Sequence, residues 1–314
     1  MNVPTAPSTV IVTTSVPQEG EAVLAEAPRR RIKDMEVMVA DVIYETPDTT
    51  TLVLFTGNDR LDYQPGHFLT VDPHQFEALE RFIAYFEDVK GKREKPRAYS
   101  LASAPHEKYL AITVKEERYQ SSVTRYPPLL SPLLVKRTGR GSRLVITGFT
   151  GPYVLPPRLE AETDHLVHLV AGSGAVPNFS ILKHVLLDHP RVRQTFLCSN
   201  KTWADVIYRE MLRDLEAAHP GRLRVIHSIT REAEPERYGP NVRRGRITPE
   251  LLRGLVPDPR ACLVYACGPG IGPWERLAAK ERGEEPRPRF LETALAALEE
   301  LGVPGERVKR ESYG

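Results

Sequence analysis

Cysteine is scarce. Of 314 residues only Cys198, Cys262 and Cys267 carry a thiol, too few for a disulfide scaffold. They also lack the close spacing of a zinc site or of an iron–sulfur motif of the Cys-x4-Cys-x2-Cys kind. No apolar run approaches the ~20 residues that a bilayer span requires, which excludes a transmembrane helix. A charge excess is missing too: 43 basic against 41 acidic residues leave a formal charge of +2, which argues against a dedicated nucleic-acid binder. The start has neither a basic n-region nor a continuous apolar h-region, so a cytoplasmic protein without a secretory leader is expected. His184 and His189 stand five apart rather than at the i, i+4 spacing of a helical zinc pair, and no Gly-x-Ser-x-Gly elbow occurs. No metal is expected.

The residues that are present divide the chain by texture. A hydrophobic fraction of 41% with 27% charged residues is globular, and the length suits two domains of ~150 residues. Residues 1–34 carry Pro4, Pro7, Pro17, Pro28 and Arg29-Arg30-Arg31 and read as a flexible arm, with strand propensity over 9–14. Residues 35–158 hold short period-2 runs at 36–43, 50–55, 67–71, 98–101, 110–115 and 143–147, most of them separated by Gly, Pro, Asn or Asp. That rhythm predicts an antiparallel β-barrel. One helix is expected inside it near 75–90, where Phe76, Leu79, Phe82, Ile83 and Phe86 fall at helical spacing.

Beyond Pro156-Pro157 the pattern alternates. Strands are expected at 165–171, 194–199, 222–229 and 261–266, with helices at 177–188, 203–218 and 248–255. A helix near 289–301 and an extended piece over 307–313 complete the tail. Such alternation predicts βαβ units around a parallel sheet, a Rossmann-like α/β domain over 159–314.

Gly172-Ser173-Gly174-Ala175-Val176-Pro177 follows an apolar strand and opens a helix. Two glycines let the backbone turn sharply beside a ligand, and Pro177 suits the first helical position, where a missing N–H costs nothing. Free amides at the positive helix end then form an anion site suited to a dinucleotide phosphate.

Three motifs in order, Arg97-Ala98-Tyr99-Ser100, Gly172-Ser173-Gly174-x-x-Pro177 and Cys267-Gly268-Pro269-Gly270, resemble the ferredoxin–NADP reductase superfamily over residues 35–314. The resemblance implies a chain that binds FAD in the barrel and NAD(P)H in the α/β domain. It places Arg97 on the FAD pyrophosphate, Tyr99 against the flavin or ribityl portion and Ser100 near flavin N5, with Ala98 between them. Those residue types suit a phosphate, a ring face and a reactive edge. Val114 and Lys115 end the strand that precedes the family's Gly-Gly-x-x-Ser phosphate turn. Here that turn reads Pro127-Pro128-Leu129-Leu130-Ser131. Prolines donate no amide hydrogen bond, so the phosphate is expected to use the Leu130 and Ser131 amides together with Arg97. Gly148-Phe149-Thr150-Gly151-Pro152-Tyr153 resembles the family's closing motif, with Phe149 where proline is usual.

In the second domain the resemblance sets Cys267, with Gly268 and Pro269, beside the nicotinamide carbon from which hydride leaves. Ser199 and Lys201 end one strand and Thr230-Arg231 the next. A 2′-phosphate wants cations and a bare ribose wants an acid, so NADPH is expected, with NADH kept as an alternative by Asp205. Glu311-Ser312-Tyr313-Gly314 resembles the family's tail, which implies a Tyr313 ring over the flavin face and Glu311 as a polar partner near the reacting atoms.

A flavin converts two-electron hydride transfer into single-electron steps. Without an iron–sulfur ligand set in these residues, electrons are expected to leave for an acidic carrier: a ferredoxin, a flavodoxin or an oxygenase component. Lys90, Lys92, Arg93 and Lys95, and Lys136, Arg137, Arg140 and Arg143, are the basic clusters that would steer it. Two other functions are weighed: an NADH-dependent reductase component of a multicomponent oxygenase, and a non-catalytic flavin- or nucleotide-binding regulatory subunit.

Overall fold

A computed structural model describes residues 33–57, 61–121 and 123–313. Residues 1–32, with the expected strand at 9–14, lie outside it. None of the helices among the described residues is long and apolar enough to cross a membrane.

The first sheet is antiparallel. Its strands are β1 (Met35–Thr46), β2 (Thr49–Phe55), β3 (Phe68–Val71), β4 (Arg97–Ser100), β5 (Leu110–Lys115) and β6 (Arg143–Thr150), in the order β4-β3-β6-β1-β2-β5. A bridge between Leu101 and Ile112 joins the two ends, so the sheet closes as the period-2 pattern predicts. Alternate residues point inward: Val37 and Val39 of β1, Leu52 and Leu54 of β2, and Leu144 and Ile146 of β6 fill the interior.

The inserted helix is Glu80–Lys90, preceded by two short 3-10 turns, so it starts later than the expected residue 75. Leu79 and Ile83 pack on the barrel core. Phe82 does not share their face. It stays 60% exposed, with Tyr85 at 61% and Val89 beside it, because 100° per residue sets 82, 85 and 89 along a second stripe.

The second sheet is parallel throughout. Strands β7 (His165–Ala171), β8 (Arg193–Asn200), β9 (Leu223–Ile229), β10 (Val242–Arg244), β11 (Leu263–Gly268) and β12 (Val308–Ser312) stand in the order β10-β9-β8-β7-β11-β12. One face packs on the helices Pro249–Arg253 and Phe290–Glu300. The other packs on Ala175–Asp188 and Arg209–Ala218. Cys198 and Cys262 are buried in these cores.

The helix expected over 203–218 is broken. A 3-10 turn at Trp203–Asp205 gives way to Arg209–Ala218, and Tyr208 between them adopts a left-handed φ of 60°. The break lets buried Tyr208 stack on Phe179, with centroids 4.1 Å apart, while its hydroxyl donates to Thr113 Oγ1 of the barrel at 2.5 Å. Its amide donates to Glu45 Oε2. A continuous helix would forgo this joint. Tyr208→Phe is expected to lower unfolding stability by about 1–2 kcal/mol, the worth of a buried hydrogen bond, measured by urea titration.

Candidate active site

The two sheets face one another across a cleft of about 1040 Å³. From β4 and β5 come Arg97, Ala98, Tyr99, Ser100, Val114 and Lys115, and Leu130 and Ser131 join them at the start of the helix Ser131–Lys136. The opposite wall brings Gly172, Ser173, Ser199, Lys201, Thr230, Arg231, Pro269, Glu311 and Tyr313. These lie at or just beyond the carboxyl ends of parallel strands, where open α/β sheets take ligands. Gly174, Pro177, Cys267 and Gly268 do not line the cleft; they are buried behind it, Gly174 in the loop after β7, Pro177 in the helix that follows and Cys267 and Gly268 at the end of β11.

The loop after β7 is tightly fitted. Gly172 has φ +54°, and a Cβ built on Gly174 would stand 2.1 Å from the Cys267 carbonyl oxygen. Glycine therefore lets the loop lie directly on the end of β11 at Cys267-Gly268. A 3-10 turn at Gly172–Gly174 precedes the helix Ala175–Asp188, so Pro177 is its third residue rather than its first. It still falls within the first turn, whose amides have no intrahelical acceptor.

Strand β12 carries the tail to the same point. It pairs with β11 so that Glu311 is opposite Cys267 and Ser312 opposite Gly268, and the Tyr313 amide donates to the Gly268 carbonyl at 3.0 Å. The Tyr313 hydroxyl then donates to Ser100 Oγ of the barrel. Ser100, Cys267 and the Glu311–Tyr313 tail, three segments distant in sequence, are thus brought together. Burial, reinforced by Cys267 and Glu311, pushes the Tyr313 phenol well above its ordinary pKa. Burial and then Glu311 do the same to Cys267, which is a neutral thiol and no nucleophile. Burial raises Glu311 to about 7, and its Oε2 is sealed from solvent with no hydrogen-bond partner. A buried orphan oxygen on a cleft wall suits a bound donor.

On the barrel side Arg97 Nη2 donates to Glu94 Oε2 at 2.5 Å and Nη1 to the Lys95 carbonyl at 2.7 Å. Glu94 also pairs with Lys90. This fixes one edge of the guanidinium and leaves further N–H donors on the fork. Lys115 is tied to Asp48 at 2.7 Å, and Ser131 Oγ accepts from the Glu117 amide at 3.1 Å. Tyr99 supplies an aromatic face and Ser100 a hydroxyl beside the Arg97 cation. That donor set, in a cleft of this size, fits a flavin dinucleotide.

On the nucleotide side the Arg231 amide donates to the Lys201 carbonyl at 2.8 Å and the Thr230 amide to that of Asn200 at 3.0 Å, which laces the ends of β8 and β9. Asp205 Oδ2 accepts from the Thr202 amide and hydroxyl at 2.9 and 2.8 Å, closing its own turn. Among the lining residues that escaped the sequence analysis, Arg246 and Tyr126 stand out. Arg246 adds a third cation to Lys201 and Arg231; its one visible signal is the basic run that starts at Arg243. Tyr126 also lines the cleft, with the Lys90 ammonium 4.6 Å from its ring centroid, and nothing in its local sequence marks it.

Residues 169–271 match the family model described as "Oxidoreductase NAD-binding domain". The chain is 31% identical over 289 residues to the ferredoxin reductase component of 3-ketosteroid-9-alpha-monooxygenase from Mycolicibacterium smegmatis, covering 89% of this chain and 65% of that protein. The Mycobacterium tuberculosis (strain ATCC 25618 / H37Rv) component of that name is 29% identical over 293 residues, with the same shares. The chain therefore spans 65% of the length of these curated relatives. Among solved structures, the flavohem-like FAD/NAD-binding domain of nitric oxide dioxygenase from Vibrio cholerae O1 biovar El Tor superposes with a TM-score of 0.63. It is 21% identical, covering 91% of this chain and all of that one. That likeness is one of fold, and it matches the pairing of an antiparallel with a parallel sheet.

Proposed function

We propose that this chain, an FAD- and NAD(P)-binding oxidoreductase resembling the ferredoxin–NADP reductase superfamily, takes hydride from NADPH and releases electrons to a separate carrier protein. The observation that carries the proposal is the meeting of Ser100, Glu311 and Tyr313 at the cleft, with Cys267 buried opposite Glu311 behind its wall. FAD, when bound, supplies the change from hydride to single electrons. Arg97, with Leu130 and Ser131, holds its phosphates, and Tyr99 and Ser100 orient its ring portion. Tyr313 covers the place where nicotinamide stacks and keeps water from it. Cys267 backs that place as a neutral, polarisable thiol, and Glu311 holds a proton beside it. Gly172 and Ser173 meet the nucleotide phosphate. The division into a flavin unit over 35–158 and a nucleotide unit over 159–314 is part of the proposal, as is a cytoplasmic location.

The acceptor is an acidic ferredoxin, flavodoxin or oxygenase component; the names of the mycobacterial relatives support the oxygenase setting. A recess of about 470 Å³ beside the cleft is lined by Lys90, Lys92, Arg93, Lys95, Arg97 and Arg125, and the exposed Phe82–Tyr85–Val89 stripe supports docking on the same helix.

Anaerobic NADPH should bleach the visible flavin absorbance of the purified protein; a yellow protein that neither NADPH nor NADH reduces would overturn the proposal. Arg231→Ala should raise the KM for NADPH at least tenfold with little change for NADH, since each lost charge-assisted contact to phosphate is worth about 1.5–3 kcal/mol. Steady-state kinetics with both nucleotides check this, and a tenfold preference of the unaltered protein for NADH would reverse the coenzyme assignment.

A further inference from the structure

The helix Ala175–Asp188 leaves the phosphate loop and passes along the barrel loop at 103–107. Ser180 Oγ donates to the Ser103 carbonyl at 2.6 Å, Lys183 pairs with Glu107, and the next helix residue, His184, comes beside His106. Ligand atoms of His106, His184 and Asp188 all lie within 4.8 Å of one another. His184 and Asp188 are one helical turn apart on one face, with Nδ1 and Oδ2 at 2.8 Å. That contact has the length of a hydrogen bond without its alignment: His184 Nδ1 is sealed from solvent and makes none. Burial outweighs the pull of Asp188 and, with His189 and His106 nearby, holds the His184 pKa below its ordinary value. None of the three residues lines the flavin–nucleotide cleft.

We propose that His106, His184 and Asp188 bind a divalent transition ion of the zinc class, which clips the barrel loop to the nucleotide-unit helix. Two imidazoles and one carboxylate form a zinc donor set with a fourth position left for water. Magnesium and calcium prefer all-oxygen sites. His106 and Asp188 are exposed, which gives the ion a path of entry. One ligand comes from the barrel and two from the helix, so the ion stabilises only the arrangement that holds both together. The expectation of no metal rested on spacing along the sequence, among the cysteines and between His184 and His189, whereas the completing ligand comes from a loop that sequence leaves far away.

The test uses the full, flavin-loaded chain after chelator treatment and dialysis. Zn2+ titration calorimetry should show one ion per chain, and Co2+ should give visible d–d bands. His106→Ala and His184→Ala should each weaken binding at least tenfold, while NADPH-to-dye turnover stays unchanged. Zn2+ should raise the Tm of the unaltered protein and leave that of His106→Ala where it was. His106 is exposed, so its variant keeps the fold even if His184→Ala does not. Equal binding by the unaltered protein and both variants overturns the site. Loss of binding in His189→Ala but not in His106→Ala overturns the clip, because His189, whose ring lies 5.6 Å from that of His184, would then complete a site without the barrel.

Discussion

Gly174→Ala is expected to cost about 3 kcal/mol or more and to abolish reduction by NADPH. The added Cβ would stand 2.1 Å from the Cys267 carbonyl oxygen and 2.4 Å from its carbonyl carbon. Both atoms are backbone, so no side chain can swing aside. Overpacking of a tight interior costs about 1–3 kcal/mol and sometimes more, and here the strain falls on the end of β11, which carries Cys267 and accepts from the Tyr313 amide. Gly172→Ala is the control. Gly172 has a left-handed φ but no neighbour within 4 Å of a Cβ, so it should lose only the ~1–2 kcal/mol of the left-handed conformation. Urea unfolding of the two variants separates contact from conformation; equal losses would sink the argument.

Glu311→Gln is expected to remove a slope from the stability–pH curve. Burial raises the carboxyl from 4.5 to about 7, so between these values the folded chain binds more protons than the unfolded one. The contribution is fully present below about pH 4.5 and is lost as pH rises through 7. At ~1.4 kcal/mol per pKa unit, with a discount for partial exposure, the unaltered protein should lose about 1–3 kcal/mol across that window and the glutamine variant should not. Turnover with NADPH should fall about 10²-fold, the low end for removing a positioned acid–base group, and its pH profile should lose the limb near 7. Parallel stability curves for the two proteins would refute the burial argument.

Much of the architecture was legible because it follows periodicity. Leu110–Lys115 and His165–Ala171 occupy the ranges their patterns predict, and the phosphate loop announces itself by its glycines. Tyr208 could not be foreseen. Tyrosine carries no turn signal, and its left-handed backbone is held by Phe179, Thr113 and Glu45, none of them local in sequence. At three residues, β10 is too short for any period to show. The grip of Glu94 on Arg97, the position of Arg246 and the approach of His106 to His184 depend likewise on where the chain returns. The inserted helix divides the same way: its existence was periodic, while the side left bare was a matter of angle.

The order of strands also has a consequence for biosynthesis. β7 is made first in its sheet and stands near the centre; β8, β9 and β10 extend one flank, and β11 and β12 the other. When β11 has emerged from the ribosome, the loop after β7, the ends of β8 and β9 and the whole barrel already exist. Glu311 and Tyr313 do not. Domains fold largely as units in the order they are synthesised, so the barrel wall of the cleft can form first, while the opposite wall waits for β12, which brings Glu311 and Tyr313. The last strand is therefore a completion step: the proposed site lacks Glu311 and Tyr313 until translation has passed β12.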